Sequence, residues 1–437
     1  MLNARPVQGL FRFLRSYANA ALIALLFAIP WLRLHGEPLV LLDVPARRFH
    51  ILGLVIFPQE LYFLWLLVIG AALGLFFFTA LFGRLWCGWA CPQTVFTDVF
   101  AGMARRIEGW KGSKRPRRVA AWRLVAKHAV WLLASVVIGF HLIGYFVSPY
   151  QFAADAREGA LHPVAIGFWV VMSGIAYVDF VFLRQTFCKY LCPYARFQGV
   201  LFDKDTLVIG YDATRGDPRG KKGTTAGDCV DCGLCVAVCP SEIDIREGLQ
   251  LGCIACTQCI DACDGVMERL DRPKQLIAYR TLTGIAGWAG VRPLRARVVV
   301  YAVMLLCVAG GFGTMLSQRQ AMGLHVAHNR DSLYTTMPDG RVSNAFTLQV
   351  ENRERETRSF HIRLEEDEDF DLITGMNPLE VPGAGALEAR VFVIAREARA
   401  STAPRRVRFV LEPEDKRSRG LVRETRFLSP GVTHGDG

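Results

Sequence analysis

Residues 229–240 read Cys229-Val230-Asp231-Cys232-Gly233-Leu234-Cys235-Val236-Ala237-Val238-Cys239-Pro240. A second run, Cys253-Ile254-Ala255-Cys256-Thr257-Gln258-Cys259-Ile260-Asp261-Ala262-Cys263, follows after twelve intervening residues. Both follow C-x2-C-x2-C-x3-C, the spacing of [4Fe–4S] ligands. The cube needs four converging thiolates. A tight loop with two-residue gaps presents three, and a continuous loop cannot wrap round to supply the fourth. In two-cluster proteins the fourth cysteine of each run serves the other cluster. This assigns Cys229, Cys232, Cys235 and Cys263 to one cluster, and Cys253, Cys256, Cys259 and Cys239 to the other. Structural zinc is the competing reading of a C-x2-C pair, but a duplicated eight-cysteine order favours iron–sulfur. Asp264 stands where the first run has Pro240. Proline shapes the turn and binds no iron, so ligation is expected to survive. The Asp264 charge is placed to shift that cluster's potential. Gly233, Ala237, Gly252, Ala255 and Ala262 allow close backbone approach, and amides bonded to the sulfurs tune potential.

Outward from this insert the chain is apolar. Of 437 residues, 52% are hydrophobic, which excludes disorder and, with long uncharged runs, a wholly soluble fold. Five segments of 17–22 residues, 18–34, 61–82, 128–147, 163–183 and 298–316, match the ~20 residues needed to cross a bilayer. The first follows Arg5, Arg12 and Arg15 without a small-residue cleavage site and is expected to be a retained anchor. Lys and Arg number 3 before the first span, then 2, 10, 1 and 16 in the successive loops. By the positive-inside rule the N-terminus and the loops at 84–127 and 184–297 are cytoplasmic. The fifth span then carries the remainder outside. Twelve of the thirteen cysteines fall in segments assigned inside on charge alone, as the reducing compartment favours.

A second repeat lies in the membrane part. Trp86-Cys87-Gly88-Trp89-Ala90-Cys91-Pro92 follows the second span, and Phe187-Cys188-Lys189-Tyr190-Leu191-Cys192-Pro193 follows the fourth. Two matched hairpins point to internal duplication. On a helix, Cys87 and Cys91 would share a face, as would Cys188 and Cys192. Four facing thiolates suit a soft metal such as Cu(I), or a further Fe–S cluster. The prolines oppose a continuous helix and favour a new one beginning at each. Residues 92–106, with Val95, Phe96, Val99, Phe100 and Met103 on one side, resemble an interfacial amphipathic helix. Cys91 is then expected at a helix N-terminus, where a thiolate is stabilised. The alternative is that these cysteines are small apolar residues packing at a helix end.

Other features carry less. Cys307, mid-span, is expected in the core. His128 and His141 have a spacing suited to two haems, but no second span offers facing histidines. Asp179, near the inner end of the fourth span, is either functional or an interfacial charge. Gly70 and Gly74 form a GxxxG packing face. The formal +11 does not imply nucleic acid. Residues 1–316 hold 33 Lys+Arg against 21 Asp+Glu, and residues 317–437 hold 18 against 19, so the excess marks the inner face. After the fifth span the period becomes 2: Phe346, Leu348, Val350; Phe360, Ile362, Leu364; Ala389, Val391, Val393; Val407, Phe409, Leu411. About seven short strands between turns predict an immunoglobulin-like sandwich without the cysteine pair of antibody domains.

The expected fold is therefore a multi-pass α-helical membrane protein of five spans with a cytoplasmic 2[4Fe–4S] ferredoxin-like insert and a C-terminal all-β sandwich. The divisions are 1–200 membrane, 201–297 ferredoxin-type, 298–316 fifth span and 317–437 periplasmic.

This ordered set resembles the cytochrome c oxidase accessory proteins of the CcoG (RdxA/FixG) family along essentially the whole chain. The resemblance rests on the spans, Cys87-Gly-Trp-Ala-Cys-Pro-Gln-Thr94, Cys188-Lys-Tyr-Leu-Cys-Pro-Tyr194, the double cysteine run and the tail strand Phe346-Thr-Leu-Gln-Val-Glu-Asn352. The stretch Asp43…Arg48-Phe49-His50 adds to it. The resemblance implies a bacterial inner-membrane oxidoreductase that reduces Cu(II) to Cu(I) for maturation of cbb-type oxidases. A cytoplasmic electron donor is implied, with oxidase subunits or copper-delivery proteins as partners. Cys87, Cys91, Cys188 and Cys192 become candidates for copper or a further redox centre. Two other readings are a quinol-linked polyferredoxin of nitrate or nitrous-oxide respiration and a non-enzymatic assembly scaffold with redox-sensing clusters. The sandwich, and the lack of a large N-terminal external domain, argue against the first.

Overall fold

A computed structural model describes residues 4–112, 116, 118–220, 227–285, 294–329, 332–365, 369–397, 405–415 and 420–430. The chain forms two compact units, 1–312 and 313–437. Among the described residues five helices are long and apolar enough to cross a membrane, as in a multi-pass membrane protein: Leu10–Trp31, Pro58–Phe82, Ala121–Ile143, Pro163–Leu183 and Ala296–Ser317.

The first of these starts eight residues earlier than hydropathy indicates. Its opening turn has no local side-chain cap. Instead the Asp261 carboxylate, from the helix Gln258–Arg269, accepts from Phe11 N (3.1 Å) and Arg12 N (2.7 Å). Arg12 and Arg15, which interrupt the apolar run, both pair with Asp98. A distant acid thus satisfies the orphan amides of a helix start. The third helix also starts early, at Ala121, because Lys127 is buried against the fully buried Glu108 at 2.8 Å. The loop at 35–60, between the first two spans, holds a three-stranded antiparallel sheet, Val40–Asp43, Arg48–Ile51 and Leu54–Ile56.

The second and fifth helices pack through Phe63 on Phe312 and Phe76 on Tyr301. Gly70 faces Val308, whereas Gly74 meets nothing, so half of the GxxxG is used. Cys307 is exposed on the outer side of the fifth helix, which corrects its expected place in the core. That helix is apolar all round, so composition does not reveal which side is covered. His128 Nδ1 meets the Tyr177 hydroxyl, and His141 stacks on Phe27. Neither faces a second histidine.

The cysteine-rich insert is closed by an antiparallel pair, Leu207–Tyr211 with Ile277–Thr281. The second unit is a β-sandwich. One sheet runs Phe370–Thr374, Gly385–Ala395, Val342–Asn352, Met322–His328, with Thr335–Thr336 on the third strand's flank. The other runs Leu379–Val381, Arg358–Leu364, Arg405–Pro413, Leu421–Phe427. Phe346, Leu348, Val350, Phe360, Val391, Val393, Phe409 and Leu411 fill the space between, all at 0% exposure except the near-buried neighbours around them.

Candidate iron–sulfur centres and the paired-thiol site

The eight ferredoxin-type cysteines line two adjoining cavities. One is bordered by Cys229, Cys232, Cys235 and Cys263, with Tyr211 and Arg246. The other is bordered by Cys239, Cys253, Cys256 and Cys259, with Ser241 and Thr257. Cys235 borders both. Each run lends its last cysteine to the other's cavity because the chain leaves the loop there. Cys239 lies just past the short helix Leu234–Ala237, and Cys263 lies a turn inside Gln258–Arg269. The two cavities are near-equal in size, as two copies of one cofactor require. Among the described residues no group of three or more His, Cys, Asp or Glu is arranged to hold a single metal ion. The cysteines surround space for a polyatomic group.

Burial raises these thiols: Cys235 to about 11, Cys253 and Cys263 to about 12. Without metal they are neutral small hydrophobes, and iron must displace their protons. Of the eight, Cys232 is exposed.

The paired motifs stand at equivalent ends of the second and fourth helices. Cys87 lies in the short helix Leu85–Trp89, and Cys91 caps the helix Pro92–Glu108. Cys188 lies in a wide turn, Phe187–Leu191, and Cys192 caps Pro193–Leu201. Each proline starts a new helix, so Cys91 and Cys192 sit at helix N-termini. Burial pushes the Cys87 thiol up to about 11, and the amides of Gln93 and Thr94 partly offset burial at Cys91. Burial raises Cys188 to about 12, with Cys91, Cys87 and Cys192 adding to the rise. The four sulfurs therefore share one neighbourhood.

Side chains interlock the two copies. Cys87 Sγ donates to Gln198 Oε1 at 3.3 Å, and Thr79 shares a hydrogen bond with the Tyr194 hydroxyl. In the reverse direction Gln93 donates to Asp179 Oδ1 and to the Arg184 carbonyl, each at 3.0 Å. Asp179 thus ties the fourth helix to the first motif.

Sequence reasoning passed over Arg84 and Gly88. Arg84, buried, donates to the carbonyls of Leu251, Cys253 (3.2 Å) and Ala195 (2.7 Å). A Cβ on Gly88 would meet the Ala255 carbonyl and stand 2.6 Å from that of Ile254. The first motif therefore lies directly on the loop carrying Cys253 and Cys256. Arg84 Nε is buried with no partner among the described residues. A cluster on the adjacent cysteines offers sulfur acceptors to such an orphan donor, so the residues present fit the group.

A fold with two four-cysteine cavities joined to apolar helices defines a membrane-bound iron–sulfur electron-transfer protein. Three family profiles match: a 4Fe-4S binding domain over residues 63–111, a 4Fe-4S dicluster domain over 183–282, and the IG-like fold at the C-terminus of FixG over 312–430. Protein RdxA of Cereibacter sphaeroides is 38% identical over 412 residues, covering 89% of this chain and 85% of its own. Nitrogen fixation protein FixG of Rhizobium meliloti is 34% identical, covering 83% and 78%. The chain belongs to the RdxA/FixG family. A ferredoxin-type protein, NapH of Haemophilus influenzae, is 28% identical over 45% of this chain and 66% of its own. A crystal structure of a FixG-related protein from Vibrio parahaemolyticus is 19% identical, with a TM-score of 0.23, covering 26% of this chain and 99% of that one.

Proposed function

We infer that the chain holds two [4Fe–4S] clusters and reduces Cu(II) to Cu(I) at the paired thiols, for maturation of the copper centre of a cbb-type oxidase. Cys229, Cys232, Cys235 and Cys263 hold one cluster; Cys239, Cys253, Cys256 and Cys259 hold the other. When bound, these clusters supply one-electron transfer, matching the one electron that each cupric ion takes up. Copper is the substrate.

The observation that carries the reading is the contact of the first motif with the second cysteine set. Gly88 leaves no side chain between Cys87 and the 254–255 backbone. The four thiols of the motifs are half-buried soft donors, and soft thiolates select Cu(I) over the more strongly hydrated Cu(II). Two thiolates suffice for Cu(I), so the site need not close on one ion. Cys232 is exposed at the far cavity, which suits entry of electrons from a soluble reductant. The Lys and Arg distribution orients the N-terminus and the cysteine-bearing part to the cytoplasm of a bacterial inner membrane and the sandwich to the periplasm. Oxidase subunits or copper-delivery proteins then receive the product.

The test uses full-length protein purified without oxygen. Iron, sulfide and copper are measured, and the dithionite-reduced protein is given Cu(II) with a Cu(I)-specific chromophore. Rapid chromophore formation is expected, and is lost when Cys87 and Cys188 are both replaced by serine with iron content unchanged. A fully reduced protein that leaves Cu(II) untouched overturns the reading.

A further inference from the structure

Arg84 caps the helix Leu85–Trp89 and is 6% exposed. Among the described residues it has no carboxylate partner. Its Nη atoms are engaged by carbonyls on two sides, Leu251 and Cys253 on one and Ala195 on the other. Carbonyl dipoles satisfy donors but do not neutralise a cation. Burial pushes the guanidinium down from its ordinary range, and the sulfurs of Cys87, Cys253, Cys188 and Cys192 pull it back up. Three of those sulfurs belong to the paired motifs and one to the second cysteine set. Those sulfurs carry counter-charge for this buried cation only when they ligate metal, and it is then divided between two sites. The first cysteine set is served by a different arginine, Arg246, which is held by Asp231 and Asp244.

We propose that Arg84 is the shared counter-charge of the paired-thiol site and the Cys239/Cys253/Cys256/Cys259 site, holding them in contact and setting the reduction potential of the cluster bound there. The proposal rests on the cluster assignment above. Reduction adds one negative charge to that cluster. A buried cation beside it favours the reduced state, and low dielectric makes its field strong and local. Arg84 is a positioning and tuning residue; it ligates nothing. Its influence on the cluster at Cys229, Cys232, Cys235 and Cys263 is small, since its contacts fall on the Leu251 and Cys253 carbonyls whereas Arg246 borders that other cavity.

The experiment is a redox titration of the full-length holoprotein followed by EPR, comparing wild type, Arg84→Gln and Arg84→Lys. Arg84→Gln moves one of the two cluster potentials to a more negative value and leaves the other in place. Arg84→Lys, which keeps the charge, returns the moved potential toward wild type. A purely structural role for Arg84 predicts that lysine and glutamine fail alike. Gly88→Ala keeps every charge but forces the Arg84 turn off the 254–255 backbone. It gives a smaller shift of the same sign on the same cluster, and carries the test if the glutamine variant does not fold. Unmoved potentials, or two potentials moving together, overturn the proposal. Wild-type protein lacking two clusters would instead overturn the cluster assignment, which iron and sulfide analysis decides separately.

Discussion

The chain contains two cores of opposite kinds. The sandwich is filled by its own side chains: Phe346, Val350, Phe360, Val391 and Phe409 are fully buried, and no cysteine is among them. The insert buries Cys229, Cys235, Ile260 and Met267 together, with Cys253, Cys259 and Cys263 packed around them, yet leaves two spaces that no side chain occupies. Interiors are normally packed to crystal density, and empty volume is destabilising. The sandwich core is complete as a polypeptide. The insert core is complete only with an inorganic group, so metal affinity is part of its folding energy.

The largest expected effect breaks this symmetry outright. Removing iron with a strong chelator under reducing conditions should unfold the insert while the sandwich stays folded. Limited proteolysis read by mass spectrometry checks it, with new cuts between residues 227 and 281 and none in strands such as Val342–Asn352. Equal protection of both regions after iron loss would mean that the insert core stands without metal. The converse perturbation is Phe409→Ala. Phe409 is fully buried and meets Phe346 at 5.3 Å between ring centroids. Its truncation costs the sandwich about 3–5 kcal/mol by transfer and cavity terms, with iron content unchanged. Denaturant unfolding followed by a probe in the sandwich measures the first, and iron analysis the second.

The two cores also differ in how far the sequence discloses them. Alternation at Phe346-x-Leu348-x-Val350 reveals the sandwich because a strand with one buried face has a period of two. The cluster cysteines are legible because ligand spacing is local. The features that join the insert to the membrane helices are not, because they are ordinary residues given meaning by distant partners. Arg84 counts as one more juxtamembrane positive charge until its contacts with Cys253 and Ala195 are seen. Gly88 is one small residue among many. Asp261 lies between two ligands, and nothing nearby in sequence indicates that it caps a helix starting at Leu10. The pairing of Lys127 with Glu108 extends the third helix past a charge that hydropathy treats as a boundary.

Smaller perturbations refine the same contrast within the sandwich. Asn352 is fully buried and works as a bracket. Its Nδ2 donates to the carbonyls of Glu356 (2.7 Å) and Val381 (3.0 Å), and its Oδ1 accepts from Glu354 N (3.1 Å). Asn352→Ala leaves those groups without their partner and costs about 1–3 kcal/mol, again with no change in iron content. Aspartate at 352 should not rescue it, since a carboxylate accepts and cannot donate to two carbonyls.

The smallest effect concerns acid. His328 packs on Phe346 at 4.5 Å between ring centroids, and burial holds its imidazole below the usual value of 6.5, against a hydrogen bond it donates to the Arg426 backbone that raises it. The unfolded chain then binds a proton before the folded one does. Stability contributed by this group is complete above the unfolded value and is lost as pH falls through the lowered folded value. Thermal unfolding of the sandwich should therefore shift down between pH 7.5 and pH 5.5, and His328→Gln should flatten that dependence. An unaltered slope in the glutamine variant would assign the acid sensitivity to another group. The insert, whose ligands must stay deprotonated, loses iron as protons compete for sulfur. Acid should therefore release iron before it unfolds the sandwich, and the separation of those two midpoints measures how independently the two cores are held.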